Sequence, residues 1–92
     1  MTIKNWDVNP KWKELPKPEI GDKVMLSFKD EFEYSVKAIV TEVNNDEIIG
    51  NVVALFEGNA GVTSGHPLDS FNGKTISFKR RNIQKIFKKP LA

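Results

Sequence analysis

Hydrophobic and polar residues alternate with a period of two along most of the chain from Lys23 onward. Successive side chains of an extended strand point to opposite faces, so this period predicts half-buried strands rather than helix. The first run, Gly21 to Lys29, sets Val24, Leu26 and Phe28 on one face, with Gly21-Asp22 and Asp30-Glu31 marking its ends. The second, Glu33 to Val43, places Tyr34, Val36, Ala38 and Val40 on one face and Ser35, Lys37 and Thr41 on the other. Asn44-Asn45-Asp46 follows, residues that tolerate left-handed dihedrals and predict a hairpin turn. Ile48 to Glu57 is then the partner strand. No stretch of helical length carries a competing amphipathic period.

Because a one-residue slip turns a strand over, the pattern also restricts register. Pairing Val40 with Val52, Ala38 with Ala54 and Val36 with Phe56 buries them all, and an even shift keeps the same faces. An odd slip would set Val40 against Asn51, so an even register is expected. It leaves Ile39, Val53 and Leu55 on the outer face, which is more apolar than water favours. That predicts a cover, supplied by the N-terminal segment or by a partner molecule.

Upstream, Trp6, Trp12, Leu15 and Ile20 stand in a segment held extended by Pro10, Pro16 and Pro18. Its tryptophans are expected to anchor it to the body of the domain; the alternative is an aromatic patch offered to a ligand. Downstream, residues 58–73 show neither strand nor helix pattern, and so long an irregular stretch is the first place to look for a site. Lys74 to Lys79 resumes the alternation with Ile76 and Phe78 inward. A break at Arg80-Arg81-Asn82 precedes a last strand, Ile83 to Lys88.

Two stretches resemble the small SH3-like barrels. Pro18-Glu19-Ile20-Gly21-Asp22-Lys23-Val24 is similar to the "G-D-x-V" first strand of KOW, Tudor and related domains. Ile76-Ser77-Phe78-Lys79-Arg80-Arg81-Asn82-Ile83-Gln84-Lys85-Ile86 is similar to the end of such barrels, where a strand passes through a 3-10 turn into the last strand. The resemblance covers residues 18–88 and is one of fold. It implies an all-β, five-stranded SH3-like barrel over 18–92, an extended N-terminal segment over 1–17 packed on it, and one long loop, 58–73. The tyrosine motif of polyproline-binding SH3 domains is missing, and Tyr34, Phe32 and Phe71 do not map onto a Tudor aromatic cage. KOW-like relatives often contact nucleic acid or ribosomal partners, which the resemblance admits here.

Composition narrows the chemistry. With 92 residues, 39% hydrophobic and 28% charged, the chain makes one small domain, too apolar for general disorder and too polar for a membrane protein. It has no cysteine, which excludes disulfides, thiolate metal sites and thiol nucleophiles. The first residues contain no apolar run resembling a signal peptide, so a cytoplasmic location is expected. The overall charge of +2 conceals a split: bases dominate before Glu19 and after Glu57, while nine acids stand against Lys23, Lys29 and Lys37 between them. Either the segments neutralise one another on folding or the basic end meets an anionic partner.

Catalysis finds no support. Ser64, His66, Asp69 and Ser70 have the residue types of a hydrolase triad, but neighbouring loop residues lack the rigid frame a triad needs. Gly73-Lys74-Thr75 resembles the tail of a phosphate-binding loop, yet Leu68 stands where glycine is required and a strand follows where a helix should. A lone histidine makes a transition-metal site implausible, and Asp30, Glu31 and Glu33 read as a solvated hairpin tip. No cofactor or metal is expected. The leading expectation is therefore a non-enzymatic binding module that acts through protein contacts or self-association, at Ile39, Val53 and Leu55 or at His66 and Phe71 of the long loop. The alternative is nucleic-acid binding by the basic edge of Lys79, Arg80, Arg81, Lys85, Lys88 and Lys89, by counterion release. A small-molecule or oligomer-built enzyme using His66 comes last.

Overall fold

The computed structural model describes residues 5–30, 32–57, 66–67 and 72–90, with the backbone alone at 57, 66 and 67. The strands are β1 (Lys23–Lys29), β2 (Glu33–Asn44), β3 (Glu47–Glu57), β4 (His66–Pro67), β5 (Thr75–Lys79) and β6 (Lys85–Phe87); single 3-10 turns form at Trp12–Glu14 and Arg80–Asn82. The fold is all-β. Antiparallel ladders run in the order β4-β3-β2-β1-β6, and β5 takes the rest of the outer edge of β3. Asn45, with φ of 56°, and Asp46 make the β2–β3 turn, with Asn44 opposite Glu47, where the left-handed tolerance of asparagine placed it.

The β2–β3 register departs from the even one in an instructive way. Ala38 pairs with Val52 and Val40 with Gly50, an even register, but irregularities on either side move Val36 opposite Leu55 and Glu42 opposite Ile49. Val53 and Thr41 are the extra residues at these β-bulges. A bulge inserts one residue without turning the whole strand over. Inward positions of β3 therefore run Ile48, Gly50 and Val52, and then Leu55 rather than Ala54. Leu55, expected on the outer face, is 2% exposed and part of the core. Val53 stays outside at 41% exposure, and Ile39 is half-buried.

Val24, Leu26, Val36, Val40, Ile48 and Ile83 centre the core between the curved faces of the sheet. The expected barrel is not closed by pairing: among the described residues, no ladder joins β5 to β6 or to β1. The N-terminal segment lies across that seam. Asp7 N–H donates to the Ser27 carbonyl of β1 (2.9 Å), the Trp6 indole N–H donates to the Ser77 carbonyl of β5 (2.9 Å), and Asn9 N–H donates to the Arg81 carbonyl (2.8 Å). Trp6 meets Phe28 and Phe78 edge to face, with centroids 5.6 and 6.5 Å apart. The segment thus seals the open side of the core and not the Ile39–Val53 face. On the sheet face opposite Val24 and Leu26, Met25 and Ser35 are themselves buried. Residues 58–73, read as lacking a strand, contain the two-residue β4, which pairs with Phe56 and Glu57. Phe71 lies outside the described residues.

Candidate functional site

The turn at Arg80–Asn82 organises the surface around it. Buried Asn82 accepts from Lys79 N–H (2.8 Å) through Oδ1, while its Nδ2 donates to the Trp6 and Asp7 carbonyls (3.4 and 3.3 Å). One amide side chain thus closes the turn and ties it to the N-terminal strap, leaving Arg80 and Arg81 to line separate concavities. Asn9 adds a second tie, donating from Nδ2 to the Ile83 carbonyl (3.1 Å).

On the Arg80 side, a cleft of about 330 Å³ opens between the strap and the tip of the β2–β3 hairpin. Trp12, Pro18, Val43 and Ile48 give it apolar walls; Lys17, Arg80 and Asp46 supply charge. The guanidinium of Arg80 lies 5.3 Å from the Trp12 ring centroid, within cation–π range, and its Nη2 donates to the Leu15 carbonyl (3.2 Å). The Nε of Arg80 is buried and has no acceptor among the described residues. On the Arg81 side, a smaller concavity of about 280 Å³ is lined by Trp6, Val8, Lys79 and Arg81 among others.

The end of the basic tail has a different job. The Asp22 carboxylate, wholly buried, accepts from Lys88 Nζ (2.6 Å) and from the N–H groups of Glu19 (2.8 Å) and Lys89 (3.0 Å). Lys88 Nζ also donates to Glu19 Oε1 (2.8 Å) and to the Lys17 carbonyl (3.0 Å), so each of its three N–H donors has a partner. Lys89 Nζ donates to the Ile20 carbonyl (3.0 Å). Burial alone would raise the Asp22 pKa, but the hydrogen bonds from Lys88, Lys89 and Glu19 outweigh it and hold the carboxyl below its ordinary value. Lys88 is correspondingly raised, through its bonds to Asp22 and then Glu19.

The basic edge read from the sequence therefore divides. Lys88 is ion-paired with Glu19 and Asp22 of the acidic middle, which is the internal neutralisation that the charge split allowed, whereas the Lys89 ammonium bonds only the Ile20 carbonyl. Arg80 faces the strap, Lys79 is half-buried, and Arg81 and Lys85 remain exposed. Of the apolar candidates, Val53 is exposed, Ile39 is half-buried, and Leu55 belongs to the core. His66 sits in β4 opposite Glu57, and Phe71 is beyond the described residues. Of the cleft residues, Trp12 was expected only as part of an alternative aromatic patch, and Lys17, Val43 and Asp46 were not expected as a site. Trp12 beside a proline-held strap was the available signal, but nothing local says that this strap runs past a hairpin tip more than thirty residues away. Among the described residues, no group of three acidic or histidine side chains is placed to hold a metal ion, and no helix is long and apolar enough to cross a membrane. No protein-family model matches the chain, and neither a curated protein nor a solved structure matches it.

Proposed function

We propose that this chain is a small non-enzymatic binding module of SH3-like type, and that it meets a protein partner at the cleft between the N-terminal strap and the β2–β3 hairpin tip. The strand order β6-β1-β2-β3-β5, with a 3-10 turn between β5 and β6, supports the SH3-like part. The observation that carries the functional part is the juxtaposition of Trp12, Val43 and Arg80 on one concave surface. Tryptophan and arginine dominate the energetics of protein interfaces, and a pocket that admits one anchoring side chain is the usual centre of such a contact. At 38% exposure, Val43 presents apolar surface that nothing else in the hairpin requires.

Nucleic-acid binding is the second reading. It now rests on Lys79 and Arg81, which share the smaller concavity with Trp6 and so set charge beside an aromatic ring.

Nitrogen–proton correlation spectra of the full chain, titrated with phenol and indole as generic aromatic probes, test the leading reading. Shift changes are expected at Trp12, Val43, Ile48 and Arg80. Changes concentrated at Ile39 and Val53, together with a dimer mass by light scattering, would move the function to the outer face. Changes at Lys79 and Arg81 on adding a mixed-sequence oligonucleotide, weakening steeply with salt, would promote the second reading.

A further inference from the structure

We infer that the Trp12 cleft recognises a carboxylate standing next to an aromatic or aliphatic side chain in a segment of the partner protein, with Arg80 as the carboxylate's anchor. The inference rests on the reading of this cleft as the contact surface. A guanidinium carries five N–H donors in a planar fork. Among the described residues only one of them, on Nη2, has a hydrogen-bond acceptor, the Leu15 carbonyl, and the buried Nε has none. The Nη1 donors also lack an acceptor among the described residues, and unlike Nε they are not buried, so the fork keeps donors that an acceptor in the cleft can take. The indole of Trp12 lies within cation–π range of the same guanidinium, an arrangement that suits planar, paired recognition of a carboxylate.

The rest of the lining narrows the occupant further. Lys17 supplies a second cation, and Asp46 is the sole acid, unpaired with Arg80, so the lining retains one net positive charge. Pro18, Val43 and Ile48 are matched by an apolar side chain and not by a phosphate backbone. At about 330 Å³ the cleft stands at the small end of ligand sites and accommodates one ring with its acid group. A polyanion would need a row of uncommitted cations, whereas Lys88 is engaged elsewhere.

The test compares 3-phenylpropionate with 3-phenylpropanamide on the full-length chain, following the Arg80 Nε–H and Trp12 indole N–H resonances. The acid should shift both and bind at least about tenfold more tightly than the amide, because an ionised acceptor roughly doubles the strength of the bond. Arg80→Lys keeps the charge but removes Nε and the fork, and should erase that preference, with an unmoved Trp6 indole signal certifying the fold. Should Arg80→Lys disturb the fold, the acid–amide comparison on the unaltered chain decides alone. Equal binding of acid and amide overturns carboxylate recognition while leaving the cleft as the contact surface. Unmoved Arg80 and Trp12 signals at about 20 mM of either probe overturn both. If a ten-residue oligothymidylate shifts the same two signals at lower concentration than the acid, a phosphate polymer replaces the peptide carboxylate as the ligand.

Discussion

Replacing Asp22 with alanine tests how the start of β1 and the C-terminal tail are held together. The side chain has no exposed surface yet accepts three hydrogen bonds, two of them from backbone N–H groups of Glu19 and Lys89. Alanine removes the acceptor from both. Bonds to a charged acceptor are worth about 1.5–3 kcal/mol each, and water recovers part of that because the two N–H groups are only partly buried. The expected loss is about 2–4 kcal/mol, a large share of the 5–15 kcal/mol typical of a domain. In urea, monitored by tryptophan fluorescence, that corresponds to a midpoint lower by about 1–3 M at the small slope of a short chain. A loss under about 0.5 kcal/mol would refute the view that this carboxylate clasps the two segments, since water would then be serving as well.

The same site has a pH signature whose sign follows from its two shifts. The folded pKa of Asp22 lies below its unfolded value, so its contribution is complete above the unfolded value of about 4 and is lost as pH falls through the lowered one. The pKa of Lys88 is raised, so its contribution is complete below about 10 and is lost as pH rises through the raised value. The stability difference between the native chain and Asp22→Asn should hence be flat between about pH 5 and pH 10 and narrow in acid. A difference that grows as the solution is acidified would contradict the assignment.

Leu55→Ala should cost about 2–5 kcal/mol in chemical denaturation while Val53→Asp costs under about 1; comparable costs would mean that the bulge does not shift the inward positions of β3. Gly21 and Gly73 both have positive φ, 95° and 84°, but a Cβ at Gly21 would come within 3.0 Å of Lys89 Cδ, whereas one at Gly73 meets nothing within 4 Å. Gly73→Ala should thus lose about 1–2 kcal/mol and Gly21→Ala measurably more, read from paired melting curves. Trp6→Phe removes the indole donor to Ser77 but keeps a ring against Phe28 and Phe78, and should lose about 1–2 kcal/mol together with slower-exchange protection at the β1–β5 seam.

What the sequence disclosed and what it withheld divide along a physical line. Period-two alternation is a local property, and it located β1, β2, β3 and β5, the Asn45 turn and the inward sets Val24-Leu26-Phe28 and Val36-Ala38-Val40. A bulge is set by the fit between two strands, so Val53 looks like any other strand residue in its own run, and Leu55 was assigned to the wrong face. Charge was legible as an imbalance but not as a pairing: the Gly21-Asp22 pair was read as a strand start and Lys88-Lys89 as a basic edge, and only folding brings the two together. Asn82 and Asn9, which fasten the strap through side-chain bonds to backbone more than seventy residues away, have no local signature at all.

These hidden elements are related. The open seam between β1 and β5 is what requires a strap; the strap crosses it with Trp6 and continues past Arg80, so that Trp12 comes to stand beside the hairpin tip. The cleft is a consequence of sealing the core with an extended segment rather than with another strand. A strand there would place its backbone donors and acceptors into a ladder, whereas beside the proline-held strap an arginine donor has no acceptor among the described residues and an apolar hollow opens next to it. The feature that completes the fold thereby creates the surface on which a partner can be received, and loosening the strap at Trp6 should weaken ligand binding at Trp12 as well as the core beneath it.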